Sequence, residues 1–147
     1  MYRQILVAIE HSAADATIVG HVEELARLAG SRLLLVHVAD GWAARHFDEL
    51  HLRESEEMRD DRAYLATIEA DLRAKGFEVE SLLAMGDPAT EICRLARERD
   101  IDLIAMATHG HRGVSDLIHG QTVDAVRHRV AVPVLLLRAR RPGAPAG

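Results

Sequence analysis

The sequence has little of what commonly assigns a chain to a specialised class. Its single cysteine, Cys93, excludes an internal disulfide bond, and its position in an apolar helical pattern predicts a buried, inert thiol. A net charge of −5 at pH 7 disfavours nonspecific binding to the phosphates of nucleic acids. No hydrophobic run approaches the length of a membrane span, and the first ten residues lead into a predicted strand rather than a signal peptide. We therefore expect a cytoplasmic protein that binds neither membranes nor nucleic acids.

Recognisable catalytic and metal-binding motifs are also missing. The chain has no GxSxG nucleophile elbow and no GxxxxGK[ST] loop, so no catalytic residue is assigned. Four histidines could converge in the fold, namely His11, His109, His111 and His119. None of them belongs to an HExxH pair and there is no CxxC, so we predict that they shape a loop or contact a ligand rather than bind a metal.

Hydrophobic patterns predict five strands that alternate with four helices. Apolar runs typical of buried strands occupy residues 5–9, 33–38, 101–107 and 132–137, and a more exposed strand covers residues 77–85. Helical periodicity and capping signals mark helices within residues 12–30, 51–75, 87–99 and 121–130. Residues 40–50, which contain Trp42, have no clear period and are predicted to form a loop that serves as a lid or a contact surface.

This alternation is typical of an α/β protein. It predicts a doubly wound five-stranded parallel sheet with strand order 3-2-1-4-5 and helices on both faces. Such sheets bind ligands at the carboxyl ends of the strands, where the strand order reverses. In this chain the reversal lies between the first and fourth strands, and it would bring residues 10–12 beside residues 108–110.

One stretch, residues 106–126, is predicted to form an anion site at that place. It leaves the fourth strand, continues through Gly110, Gly113 and Gly120, and enters a predicted helix at Gln121. Glycines admit a close approach of the main chain, and the free N–H groups of a helix start point at the anion. Because Gly120 would immediately precede the helix, we predict that it is the most sensitive position for ligand binding. The alternative is that these glycines serve turn geometry only.

The sequence resembles the universal stress protein family over residues 1–138. The matching segments are ILVAIEHS in the first strand and turn, GDPATEI before the third helix, DLIAMATHG around the fourth strand, and PVLLLR at the end. The resemblance implies the α/β fold already predicted, as a single domain ahead of a disordered tail at residues 139–147. It also implies a homodimer in which the last strand, from Val132 to Leu137, pairs with its copy across a two-fold axis.

Nucleotide-binding members of this family carry Gly-x2-Gly-x9-Gly-[Ser/Thr] after the fourth strand. These four positions are occupied here, in order, by Ala107, Gly110, Gly120 and Gln121. Thr122 offers a hydroxyl group one residue further along, and Glu10 replaces the family's aspartate at the end of the first strand. Because the main-chain N–H groups make most of the phosphate contacts, these departures weaken the motif without abolishing it.

The resemblance thus implies an adenine-nucleotide site that takes ATP, or AMP or ADP, with Mg²⁺ as a companion of the nucleotide. The residues expected to form it are Ala8, Ile9, Glu10, Ser12, Val38, Met106, Ala107, Thr108, His109, Gly110, His111, Gly113, Gly120, Gln121 and Thr122. The implied function is a regulatory binding module in the stress response. Two alternatives remain open: a nucleotide-free dimeric interaction protein of the same fold, and a slow ATP hydrolase.

Overall fold

Strands and helices alternate strictly in the computed structural model, which describes the main chain of residues 1–40, 47–108 and 114–139. The strands are β1 (Gln4–Ala8), β2 (Arg32–Asp40), β3 (Val79–Gly86), β4 (Leu103–Thr108) and β5 (Val134–Arg138). The helices are α1 (Ala14–Ala29), α2 (Phe47–Ala74), α3 (Pro88–Glu98) and α4 (Val114–Arg129).

The five strands form one sheet in the order β3-β2-β1-β4-β5. Every neighbouring pair is parallel, which confirms the predicted doubly wound sheet and its strand order. The order reverses between β1 and β4, where Ile5 pairs with Leu103 and Val7 pairs with Ala105. The connections that leave these two strands go to opposite faces of the sheet, so a crevice forms between their carboxyl ends.

Helices cover both faces of the sheet, as predicted. On β1, Ile5 and Val7 join the core beneath α1 and α2, whereas Leu6 joins the core beneath α3 and α4. The central strands are therefore buried on both faces, which explains why they are continuous apolar runs rather than alternating ones. Cys93 of α3 is 3% exposed, and burial raises the pKa of its thiol, in agreement with the predicted inert side chain.

Helix ends follow the local signals in the sequence. Gly30, with φ of 69°, ends α1, and Gly76, with φ of 95°, follows α2. Asp87 caps α3 by accepting hydrogen bonds from the N–H and the hydroxyl group of Thr90, at 3.0 and 2.7 Å, and Pro88 is the first helical residue. The two hydrogen bonds from Thr90 hold the pKa of Asp87 below its ordinary value.

The predicted loop at residues 40–50 is wrong at both ends. Asp40 belongs to β2 and α2 begins at Phe47, four residues before the predicted helix. Residues 41–46, with Trp42, lie outside the described residues, as do residues 140–147 of the predicted tail. Ala139 still donates a main-chain hydrogen bond of 2.8 Å to the Thr108 carbonyl.

The predicted beginning of the last helix is also wrong. α4 starts at Val114, so Gly120 lies inside the helix instead of immediately before it. A Cβ atom added at Gly120 would meet nothing within 4 Å. An exposed glycine lowers the stability of a helix by only about 1 kcal/mol relative to alanine. The helix therefore continues through Gly120.

Candidate functional site

A cavity of about 110 Å³ lies at the carboxyl ends of β1, β2 and β4, where the strand order reverses. Its apolar lining consists of Ala8, Ile9, Val36, Val38, Pro88, Ile92, Met106, Ala107 and Val123. Its polar lining consists of Glu10, His37 and Thr122. A mostly apolar cleft with a few polar groups is typical of small-molecule sites, which commonly enclose about 300–1,000 Å³. The smaller volume here suits one part of a ligand, such as a flat ring, rather than a whole one.

The structure brings only part of the predicted site together. The predicted residues that line the cavity are Ala8, Ile9, Glu10, Val38, Met106, Ala107 and Thr122. Those that the structure describes but that do not line it are Ser12, Thr108, Gly120 and Gln121. The remaining four, His109, Gly110, His111 and Gly113, lie outside the described residues.

The start of α4 changes the interpretation of the motif's last positions. Gly120 and Gln121 are exposed on α4, well beyond the first turn, in which a helix leaves its N–H groups without an intrahelical partner. The prediction that these two N–H groups face a phosphate as a helix start is therefore wrong. Thr122, the next residue, is half-buried and does line the cavity.

Sequence analysis missed part of the lining that β2, α3 and α4 contribute to the cavity. The missed residues are Val36, His37, Pro88, Ile92 and Val123. A signal for β2 was available, because the predicted order places it beside β1 and its carboxyl end therefore borders the crevice. His37 of β2 donates its Nδ1 proton to Ile9 O at 2.7 Å, and its Nε2 lies 3.5 Å from Asp61 Oδ2. The residue also lines the cavity.

The loop between β1 and α1 is organised around the carboxylate of Asp15, which is 2% exposed. Asp15 Oδ1 accepts a hydrogen bond of 2.8 Å from the Glu10 N–H. Its Oδ2 accepts from the N–H groups of His11 and Ser12, at 2.8 and 3.1 Å. Ser12 Oγ accepts a hydrogen bond of 3.2 Å from the Ala14 N–H. The N–H groups of residues 10–12, which precede α1, therefore already donate to the carboxylate of Asp15.

Tyr64 of α2 also contacts the loop between β1 and α1. Its hydroxyl group donates a hydrogen bond of 2.6 Å to Asp15 Oδ2, and its ring stacks on His11 with a centroid separation of 4.0 Å. Burial, together with the hydrogen bond and the charge of Asp15, raises the pKa of Tyr64 well above its ordinary value. These contacts hold His11 at φ of 63°, a left-handed conformation that non-glycine residues adopt only when their surroundings stabilise it.

Asp61 of α2 completes a polar network beside the cavity. Its Oδ1 lies 2.7 Å from His11 Nδ1 and its Oδ2 lies 3.5 Å from His37 Nε2. Among the side chains that the structure describes, those of residues 1–39, 56–108 and 120–139, no group of three or more histidine, cysteine, aspartate or glutamate residues is arranged to hold a metal ion. In the described part of the chain, none of the helices combines the length and the apolarity needed to cross a membrane.

Comparison with known proteins identifies the family. The model of the universal stress protein family matches residues 1–138. Universal stress protein MJ0577 of Methanocaldococcus jannaschii is 24% identical in an alignment that covers 95% of this chain and 97% of the relative. The chain therefore belongs to the universal stress protein family, as the resemblance implied.

Solved structures show the same fold. The structure of MJ0577 has a TM-score of 0.80 at 23% identity and covers 97% of this chain and 99% of its own. A universal stress protein solved in complex with cAMP has a TM-score of 0.68 at 18% identity, over 95% of this chain and 98% of that one. The universal stress protein of Archaeoglobus fulgidus in complex with dAMP has a TM-score of 0.66 at 24% identity, over 92% and 97% of the two chains.

Proposed function

We propose that this chain binds an adenine nucleotide, with the base in the cavity at the ends of β1, β2 and β4. The observation that carries the proposal is the position of this apolar cleft, since doubly wound sheets bind ligands where their strand order reverses. Hydrocarbon from Ile9, Val38 and Ile92 would cover the base, and Glu10 and Thr122 would offer polar contacts. The relatives solved with cAMP and dAMP support the same class of ligand.

The phosphates are proposed to extend toward the beginning of α4. The helices that follow β1 and β4, the two strands between which the order reverses, are α1 and α4. The N–H groups that precede α1 already bind Asp15, and the charge of that carboxylate repels a second anion. The positive end of the α4 dipole, at Val114, favours phosphate instead. ATP, ADP and AMP share the base and the ribose, so their relative affinities measure this phosphate contribution.

Calorimetric titration of the purified protein with ATP, ADP, AMP, cAMP and dAMP tests the proposal. We expect saturable binding that Thr122→Phe weakens by more than about tenfold, because the larger ring would fill the cavity. Thr67→Phe is the matched control, since Thr67 is exposed on α2 and does not line the cavity. The proposal fails if the folded protein binds none of these nucleotides at millimolar concentration. Nucleotide retained through purification is a simpler early indication.

We also propose a homodimer formed by β5. The sheet has two edges, β3 and β5. At β3, the Arg73 guanidinium donates two hydrogen bonds, at 3.1 and 2.8 Å, to the Val79 carbonyl and so covers part of that edge. At β5, the apolar residues from Val134 to Leu137 are only half-buried. An apolar edge strand promotes association unless it is covered, and pairing with a second copy across a two-fold axis covers it.

The biological role proposed is regulatory binding in the stress response, in the cytoplasm. Support comes from the family to which the chain belongs. Comparison of wild type with the Thr122→Phe variant, expressed at the same level during starvation or oxidant exposure, tests whether nucleotide binding matters for survival. Equal survival of the two strains would show that this role does not depend on nucleotide binding.

A further inference from the structure

Asp61 of α2 is the shared partner of two histidines that belong to different elements. Its side chain is 16% exposed, and its Oδ1 lies 2.7 Å from Nδ1 of His11, in the loop after β1. Its Oδ2 lies 3.5 Å from Nε2 of His37, in β2. The two imidazole rings meet edge to face, with centroids 6.3 Å apart and planes at 88°. One carboxylate thus accepts a hydrogen bond from His11 and lies beside His37.

Both histidines are connected to the cavity wall, although Asp61 does not itself line the cavity. Because a carbonyl oxygen can only accept a hydrogen bond, His37 donates its Nδ1 proton to Ile9 O at 2.7 Å. His11 directly follows Glu10, and both Ile9 and Glu10 line the cavity. The network therefore runs from Asp61, through each ring, to the two residues that directly follow β1 on the cavity side.

We propose that Asp61 is a positioning residue for the nucleotide site, an inference that rests on the proposed function. Its carboxylate accepts the Nδ1 proton of His11 at 2.7 Å, and so holds that ring and the left-handed φ of His11. An alanine in place of Asp61 would leave His11 Nδ1 without this acceptor and would open space beside His37 Nε2, so the His11 ring would lose its orientation. The part of the cavity wall formed by residues 9 and 10 would then no longer be pre-organised for the ligand. Part of the binding free energy would be spent on ordering it, and the affinity would fall.

Asp61→Ala tests the proposal, with Asp60→Ala as the matched control. Both variants remove one negative charge from α2, but Asp60 is exposed and Asp61 is in the network. We expect Asp61→Ala to raise the Kd for AMP by about tenfold, the size of effect that follows from losing a charged hydrogen-bond partner, while Asp60→Ala leaves it unchanged. Long-range ¹H–¹⁵N spectra of the histidine rings without nucleotide should show altered nitrogen shifts for His11 in Asp61→Ala only.

These measurements separate the positioning role from the function on which it rests. Wild type that binds no AMP overturns the proposed function, whereas unchanged ring shifts of His11 in Asp61→Ala overturn the positioning role whether or not nucleotide binds. Changed shifts with wild-type affinity overturn it too. If Asp61→Ala does not fold, His11→Gly removes one ring and adopts a φ of 63° without strain. It should bind AMP several-fold more weakly, and wild-type affinity in this variant would count against the proposal.

Discussion

The hydroxyl group of Tyr64 donates a hydrogen bond of 2.6 Å to the buried carboxylate of Asp15, 49 positions away in the sequence. The same carboxylate accepts main-chain hydrogen bonds from residues 10–12. One anion thus joins α2, the start of α1 and the loop that borders the cavity. Because the carboxylate has four donors and no access to water, its charge is stabilised by hydrogen bonds rather than by solvent.

Removing the Tyr64 hydroxyl group should destabilise the fold. We expect Tyr64→Phe to lower the free energy of unfolding by about 1–2 kcal/mol, because a buried carboxylate loses one donor while the ring contact with His11 is kept. Tyr2→Phe is the matched control, since the Tyr2 hydroxyl group has no hydrogen bond in the described part of the chain. Urea denaturation of the three proteins measures the difference, and equal stabilities for the two variants would contradict this role of Tyr64.

The same tyrosine should make the protein sensitive to alkali. Burial and the neighbouring Asp15 raise the pKa of Tyr64 above its ordinary value of 10.0. The unfolded chain therefore releases this proton first, and the stabilisation is complete below pH 10 and is lost as the pH rises toward the folded pKa. Urea denaturation between pH 8 and pH 11 should show a stability advantage over Tyr64→Phe that shrinks at the upper end. Absorbance titration in which every tyrosine of the folded protein ionises near pH 10 would refute this prediction.

Asp87 should stabilise α3 in a pH-dependent way. We expect Asp87→Ala to lower the free energy of unfolding by about 1 kcal/mol at neutral pH, the usual effect of losing an N-cap. Thr90 holds the pKa of Asp87 below its ordinary value of 3.8. The stabilisation is therefore present above that value and disappears as the pH falls through the lower pKa of the folded state. Asp60→Ala, at an exposed position inside α2, is the control, and a loss of similar size there would argue against a capping effect.

Gly120→Ala should stabilise the protein, contrary to the importance that the motif assigns to this glycine. Gly120 lies inside α4 with open space around its Cα, and alanine is about 1 kcal/mol better than glycine in a helix. Gly30→Ala is the contrast, because Gly30 has a φ of 69° and alanine there should cost about 1 kcal/mol or more. Melting temperatures should therefore move in opposite directions. AMP affinity in Gly120→Ala would in addition show whether this position contacts the ligand from outside the cavity.

The proposed dimer can be tested through the main chain of β5. Pro133 O accepts a hydrogen bond from β4, and the Ala139 N–H donates one to it. Main-chain groups of successive strand residues point to alternate sides, so odd-numbered residues of β5 face β4 and Leu136 presents its N–H to the outer edge.

We expect Leu136→Pro to remove an outward donor and convert a dimer into a folded monomer, as measured by light scattering. Leu135→Pro should instead break pairing with β4 and destabilise the fold. Wild type that is a monomer at micromolar concentration would rule out the dimer. A Leu136→Pro variant that stays dimeric would place the interface elsewhere.

The helix and strand signals that proved reliable were those decided within a few residues. Gly30 and Gly76 end helices because they alone tolerate positive φ at their positions, and the Asp87-Pro88 pair begins one because its side chain and ring fit a first turn. Apolar runs also identified strands that are buried on both faces, and the alternation of elements then restricted the sheet to a doubly wound arrangement. The two wrong helix starts, those at Phe47 and Val114, share one cause. Neither residue is directly preceded by a Ser, Thr, Asp or Asn that would mark the start of a helix as an N-cap.

The residues of the candidate site were harder to predict from the sequence than the fold. The strand order placed residues 10–12 and 108–110 at the crevice, but it could not show that Gly120 and Gln121 lie away from it inside α4. The motif spacing counts residues along the chain, whereas lining a cavity depends on which side of a helix each residue occupies. A shift of one position rotates a side chain by about 100°, which is why Thr122 and not Gln121 lines the cleft.

The sequence by itself determined the class of fold, the strand order and the end of the sheet at which a ligand should bind, because periodicity and chain connectivity are local or topological properties. Only the tertiary structure decided that Tyr64 donates to Asp15, and that Asp61 joins His11 to His37 beside the cavity. The Tyr64–Asp15 and Asp61–His11 pairs are 49 and 50 positions apart in the sequence. Their partners depend on how α2 packs across the sheet, which no local pattern of residues specifies.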